Sequence, residues 1–287
     1  MAGSLRRGAR RAKRPALASL PPREPGATGG VSHPGAYGGR CGLARALSKL
    51  GWCSRTGAAA LVAAGRVAVD GRIERDPERT VLPGRTAILV DGRPVMAAPR
   101  VYVALNKPRG LVTSAADDRG RDTVYRCLAD AALPWVGPVG RLDRASEGLL
   151  LLTNDTAWAA HLTDPAGGVV KRYHVQVGRV PDGTLASRLE QGVEDRGESL
   201  SAVRARVLRA GARHGWLEVE LDEGRNRQIR RMLAALGVGV LRLVRVAIGP
   251  LALGGLPKGG WRLLDPAEVL ALAPPSNRPM AGRTGLG

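Results

Sequence analysis

Asp143 is the residue whose type and setting best suit chemistry. It closes Gly140-Arg141-Leu142-Asp143, follows an apolar stretch, and precedes Ser146-Glu147-Gly148 and the run Leu149-Leu150-Leu151-Leu152. A carboxylate on a glycine-flanked loop, backed by a buried strand, is held rigidly yet open to a cleft, where it can serve as nucleophile or base. Spacing alone fits a turn or cap residue better. A carboxylate in a closed cleft also tends to protonate unless a cation stabilises it. The stretch Arg225-Asn226-Arg227-Gln228-Ile229-Arg230-Arg231-Met232 offers several. With Asn226 as N-cap and about 100° per residue, Ile229, Met232, Leu233 and Leu236 share one helix face, and Arg227 and Arg231 lie opposite in solvent. Arg230 falls on the border, anchored by packing yet able to reach a partner. It is the expected ion-pair partner of Asp143, which leaves Arg225, Arg227 and Arg231 for phosphates.

Tyr173 stands in the alternating segment Lys171-Arg172-Tyr173-His174-Val175, where position alone suggests a core aromatic. Lys107 and Arg141 are candidates for secondary phosphate contacts. His161, His174 and His214 show no partner pattern. Cys41, Cys53 and Cys127 form no CxxC, so neither a disulfide framework nor a zinc site is expected.

The elements that must position these residues divide the chain. Residues 1–40 are Arg, Gly, Pro and Ala with little periodicity and are expected to form a disordered basic arm. Residues 41–98 open with Leu43, Leu47 and Leu50 at helical spacing. Ser54 is a plausible cap for a helix to Ala64, and Asp70-Gly71 between Val69 and Arg72 is a hairpin signal. Ala87–Val90 adds a strand before a second Asp-Gly. Over 100–272, strand-like runs at 101–105, 148–153, 173–178, 202–208, 216–221 and 239–248 alternate irregularly with helical runs at 155–163, 184–190, 226–236 and 266–271. That order suggests an α+β domain with a mixed, mainly antiparallel sheet and flanking helices. Residues 273–287 read as a flexible tail.

The chain of 287 residues carries 44 Lys and Arg against 25 Asp and Glu, a net charge of +19. The excess runs through every segment and is steepest in the arm, with eight bases and one acid. It suggests a polyanionic partner, most simply nucleic acid. No apolar run reaches the ~18–20 residues a membrane span needs, and no apolar stretch follows the basic start as a secretory signal would require. A cytoplasmic protein is expected.

Longer strings narrow the reading. Residues 140–155, Gly-Arg-Leu-Asp-Arg-Ala-Ser-Glu-Gly-Leu-Leu-Leu-Leu-Thr-Asn-Asp, resemble the catalytic motif of RNA pseudouridine synthases. Leu105-Asn106-Lys107-Pro108-Arg109-Gly110, Lys171-Arg172-Tyr173 and the Arg-rich helix agree in order. Cys53-Ser54-Arg55 and Gly65-Arg66-Val67-Ala68-Val69-Asp70-Gly71 resemble the S4-type RNA-binding domain. Together they are similar to the branch that joins an N-terminal S4 domain to the synthase and modifies ribosomal RNA. Departures are Thr56 where a second basic residue is usual, Arg144 after the aspartate, and Thr156 where glycine is common.

The resemblance implies an S4-like domain at 41–98, with Arg55 and Arg66 as RNA contacts, and a catalytic domain at 100–272. It implies Asp143, Tyr173 and Arg230 as the catalytic set, with Tyr173 stacked on the extruded base. Lys107, Arg141, Lys171, Arg225, Arg227 and Arg231 become RNA-contact candidates. Isomerising uridine oxidises nothing and carries no group away, so neither cofactor nor metal is expected; the partner is RNA, and the protein a monomer. The rivals are a non-catalytic RNA-binding or ribosome-assembly factor, which would not need the carboxylate, and a DNA-binding protein, for which no helix-turn-helix pattern speaks.

Overall fold

The computed structural model describes residues 39–117 and 119–274. The arm expected over 1–40 and the tail expected over 273–287 fall almost wholly outside them. β1 (Cys41–Gly42) leads into α1 (Leu43–Lys49), which buries Leu43 and Leu47 as their spacing predicts. The Ser54 hydroxyl accepts from the Gly57 amide at 3.0 Å and caps α2 (Arg55–Ala63). β2 (Val67–Val69) turns into β3 (Arg72–Glu74) through Asp70 and Gly71, whose φ angles of 49° and 81° suit a type I′ turn. β4 (Thr80–Val81) returns to pair with β1. β5 (Ile88–Val90) and β6 (Arg93–Pro94) repeat the hairpin at Asp91-Gly92. Val67, Val69, Ile88 and Val90 close a small core against Leu43, Leu47, Ala58 and Val62.

The larger part contains β7 (Tyr102–Lys107), β8 (Gly137–Val139), β9 (Glu147–Thr153), α3 (Thr156–Thr163), β10 (Lys171–Val177), α4 (Gly183–Gln191), β11 (Val193–Asp195), β12 (Glu198–Leu200), β13 (Arg204–Ala210), β14 (Gly215–Leu221), α5 (Gln228–Ala235), β15 (Val240–Ile248), β16 (Leu251–Ala252), β17 (Trp261–Leu263) and α6 (Pro266–Ala271). The strand order is β13-β14-β10-β15-β9-β7-β17, with β8 paired to β9 and β16 to β15. Every pairing is antiparallel except β15 on β9, which is parallel. The architecture is α+β. Strands β8 and β17 and the β11–β12 hairpin were not among the sequence expectations: each is three residues long, too short to show alternation.

Helices cover the sheet on both faces where it needs cover. Leu185 and Leu189 of α4 and Ile229, Met232 and Leu233 of α5 pack on Leu105, Leu150, Val175, Leu217 and Leu243. Trp158 and Leu162 of α3 pack on Ala104, Leu149, Leu151 and Ile248 from the other side. β9 is therefore buried on both faces, which is why it reads as an unbroken Leu run rather than an alternation. Among the described residues, no helix is long and apolar enough to cross a membrane.

Candidate active site

Four neighbouring strands interrupt their apolar columns at one level. β7 passes from Leu105 to Lys107 and β9 from Leu150 to Gly148 on one side of it, while β15 passes from Leu243 to Arg245 and β10 from Val175 to Tyr173 on the other, because β15 runs parallel to β9. The register pairs Lys107 with Gly148, Gly148 with Arg245, and Arg245 with Tyr173. Residues paired across strands share a face, so these four form one row over the helix-covered core. Lys107 is fully buried, Arg245 is 5% exposed and Tyr173 9%. Gly148 makes the row possible. Its φ is 101°, and a Cβ there would stand 2.2 Å from the Arg245 carbonyl oxygen.

Above the row lies the Asp143 loop, held by its backbone. The Leu142 carbonyl accepts from the Thr113 hydroxyl at 2.8 Å and the Arg144 carbonyl from the Gly110 amide at 2.7 Å. The Ala145 carbonyl accepts from Arg230 Nη2 at 3.1 Å. Lys107 Nζ donates to the carbonyls of Asp143 (3.2 Å), Ser146 (2.9 Å) and Pro108 (3.1 Å), which uses all three of its protons. Every carbonyl from Leu142 to Ser146 thus has a donor. Such a grip fixes the backbone and leaves the Asp143 side chain, about one third exposed, as the loop's projecting carboxylate. Burial pushes the Lys107 ammonium down to about 8, while Asp143 and Glu147 pull it back up.

Glu147, the other acid in the motif, is committed elsewhere. It meets Arg242 Nε at 2.8 Å and Lys258 Nζ at 2.6 Å. Burial works to raise its pKa, but those hydrogen bonds outweigh burial and hold it below the ordinary carboxylate value. Its partner across the sheet is Val244, so it faces away from the row.

The basic residues fall differently from the sequence expectation. Arg227, expected in solvent, has Nη1 3.6 Å from Asp143 Oδ2. The cause lies in the helix start. Arg227, not Asn226, caps α5, with a left-handed φ of 51°, and so precedes the helix instead of lying on its outer face. Arg230, expected to pair with Asp143, donates instead to the carbonyls of Ala145 and, at 3.4 Å, Val240. Burial lowers its pKa and the Arg227 charge adds to this, whereas Asp143 opposes both. Its bond to Ala145 holds the loop between the Asp143 and Ser146 carbonyls that Lys107 holds.

Two phosphate candidates need correction. Lys107 is fully buried among carbonyls and presents nothing to a phosphate. Arg231 is clasped by Asp195 and by Glu198, the latter at 2.7 Å, because the unforeseen β11–β12 hairpin brings both acids to α5. Arg225 bonds Glu223 at 2.9 Å and the Ser199 carbonyl at 3.1 Å. Lys171 Nζ donates to the Asp222 carbonyl at 3.1 Å, and burial lowers its pKa with help from the Arg245 charge. Arg141 is exposed. Arg55 and Arg66 are also exposed, near Glu78 (3.5 Å) and Asp91 respectively. The sequence reading missed Arg245. A cation two residues beyond inward-facing Leu243 on the same strand was the available signal.

Residues 101–235 match the RNA pseudouridylate synthase family, and residues 41–86 match the S4 domain. An uncharacterised RNA pseudouridine synthase of Aquifex aeolicus is 38% identical, over 79% of this chain and 91% of that one. The ribosomal large subunit pseudouridine synthase B of Bacillus subtilis is 35% identical, over 80% of this chain and 94% of its own. A crystal structure of a pseudouridylate synthase superposes with a TM-score of 0.57 at 26% identity, over 82% of this chain and all of that one.

Proposed function

The chain belongs to the RNA pseudouridylate synthase family, and on that premise we propose that it converts a uridine of ribosomal RNA, in the large subunit, to pseudouridine. The reaction breaks N1–C1′, turns the base, and joins C5 to C1′. It needs one ionised carboxylate at the sugar, a surface for the extruded base, and affinity for RNA. Asp143 supplies the carboxylate. The observation that carries this assignment is the grip on five consecutive carbonyls, which fixes the loop and leaves this side chain free to react. Pre-positioning of this kind is worth orders of magnitude in rate.

Tyr173, at the end of the row, is the surface for the base. Arg230 positions Asp143 through the Ala145 carbonyl, and Arg227 supplies the nearer counter-charge. Lys171, Arg225 and Arg141 lie on the path of the RNA backbone, while Arg55 and Arg66 belong to the S4-like part at 41–98. The relatives named for the ribosomal large subunit support the substrate assignment, as does the net charge of +19. The protein works as a monomer in the cytoplasm. No observation favours a non-catalytic role.

The test is to map pseudouridines in ribosomal RNA from cells with and without this protein. One position in large-subunit RNA should lose its modification. Wild type should restore it, and Asp143→Asn should not. An unchanged map refutes the substrate assignment.

A further inference from the structure

Among the described residues, two buried side-chain polar atoms have no hydrogen-bond partner: Nε of Arg230 and Nη2 of Arg245. Folded proteins satisfy nearly all such groups, and those left over call for an explanation, such as a partner from outside the chain. Both belong to the Asp143 site. Arg230 holds its loop, and Arg245 lies in the row beneath it. Arg245 has no carboxylate in ion-pair range among the described residues, and its Nε is spent on the Leu149 carbonyl at 2.7 Å. A buried cation with a spare donor and no counter-ion is complementary to negative charge that arrives with a ligand or forms on one.

Its place in the sheet says which. Arg245 is the direct cross-strand neighbour of Tyr173 on the same face, and both are more than nine-tenths buried. A phosphate, tied to the RNA backbone and strongly hydrated, suits the exposed Arg141 and Arg227 better than this floor. A planar, neutral base lying on Tyr173 can reach it. In the isomerisation, C1′–N1 breaks and the base leaves with the electron pair. This holds whether Asp143 bonds to C1′ or takes the proton from C2′. The pair spreads over N1, O2 and O4, giving a uracil anion. After the base turns, C5 bonds to C1′, the C5 proton leaves and N1 gains one, so no outside oxidant or reductant is needed.

We propose that Arg245 is a catalytic residue whose Nη2 donates to a carbonyl oxygen of the departing uracil and stabilises the anion formed as the glycosidic bond breaks. This rests on the synthase reading above. The base enters uncharged and gains its charge only in reaction, so the interaction strengthens toward the transition state and acts on rate rather than affinity.

The test uses the full chain and the ribosomal RNA segment in which its product maps, made with uridine or with 5-fluorouridine at the target. Fluorine withdraws electrons and stabilises the base anion without Arg245. Arg245→Met should slow single-turnover loss of the N-glycoside by about 10²–10³-fold at saturating protein, the usual effect of removing one such donor. Affinity should change less than threefold. On 5-fluorouridine the same variant should recover at least tenfold of its loss. Arg245→Lys, which keeps the charge, should show a smaller loss that 5-fluorouridine likewise relieves in part, and it decides the matter if Arg245→Met does not fold. Equal losses on the two RNAs, or a loss confined to affinity, overturn the proposal and return Arg245 to a structural or phosphate-binding role. A wild-type protein that converts neither RNA refutes the synthase reading itself, and the inference falls with it.

Discussion

Replacing Lys107 by Met should separate activity from stability. The fold moves the ammonium from an ordinary 10.5 to about 8, which costs about 3 kcal/mol at neutral pH, at about 1.4 kcal/mol per tenfold in acidity. Its three hydrogen bonds to carbonyls return about 1 kcal/mol each. Met fills nearly the same volume, so Lys107→Met at pH 7 should unfold within about 2 kcal/mol of wild type. Turnover should not survive so well. The carbonyls of Asp143 and Ser146 lose their donor, and a shift of about 1 Å in a reacting group costs about 10²-fold. The pH dependence has opposite signs for the two properties. Between pH 8 and 10.5 the unfolded chain binds more protons at Lys107 than the folded one, so wild-type stability rises there by up to about 3 kcal/mol relative to the Met variant. Wild-type turnover falls over the same range, because the neutral amine has two protons for three carbonyls. Urea denaturation of both proteins at pH 7 and pH 10, with turnover measured across pH 7–9.5, tests each sign. A stability gap that does not change with pH, or near-wild-type turnover by Lys107→Met, refutes the reasoning.

Asp143→Asn should leave RNA affinity intact and abolish product; turnover within tenfold of wild type in a single-turnover assay removes Asp143 from the chemistry. Gly148→Ala forces a Cβ into the Arg245 backbone at a φ only glycine adopts readily, and should cost about 3 kcal/mol or more, read as a lower urea midpoint. Arg231→Ala should free the β11–β12 hairpin and lower the urea midpoint, with the salt dependence of RNA binding unchanged. A slope flatter by about one would restore Arg231 as a phosphate contact.

Much of the fold was legible because its signals are local. The Asp-Gly turns, the Ser54 cap and the Leu run of β9 each declare themselves within a few residues. Asp143 was legible through the string around it. The row beneath it was not. Lys107, Gly148, Arg245 and Tyr173 become neighbours only through strand pairing, including a parallel pair between segments almost a hundred residues apart. No periodicity in any one segment reports that. Lys107 looked like a surface cation because nothing local announces three carbonyls around it. Arg227 rather than Arg230 meets Asp143 because the helix begins at Gln228, and a left-handed arginine before it is uncommon.

The parallel seam between β15 and β9 also bears on how the enzyme comes into being. The Asp143 loop is complete in sequence by residue 146, yet Arg230, which holds its Ala145 carbonyl, follows by 85 residues, and Arg245 of β15, which holds the Leu149 carbonyl just behind it, by 96. Contacts of that separation form late, since the entropy of closing the intervening chain must be met first. On a ribosome the first half of the protein can emerge and fold its small Leu43–Val90 core while the Ala145 carbonyl of the catalytic loop still lacks its donor. A product of premature termination before β15 carries the full catalytic motif but should be inert, since it lacks the strand that pairs with Glu147 and Gly148. Catalysis therefore waits for β15, a strand far along the chain from the carboxylate it serves.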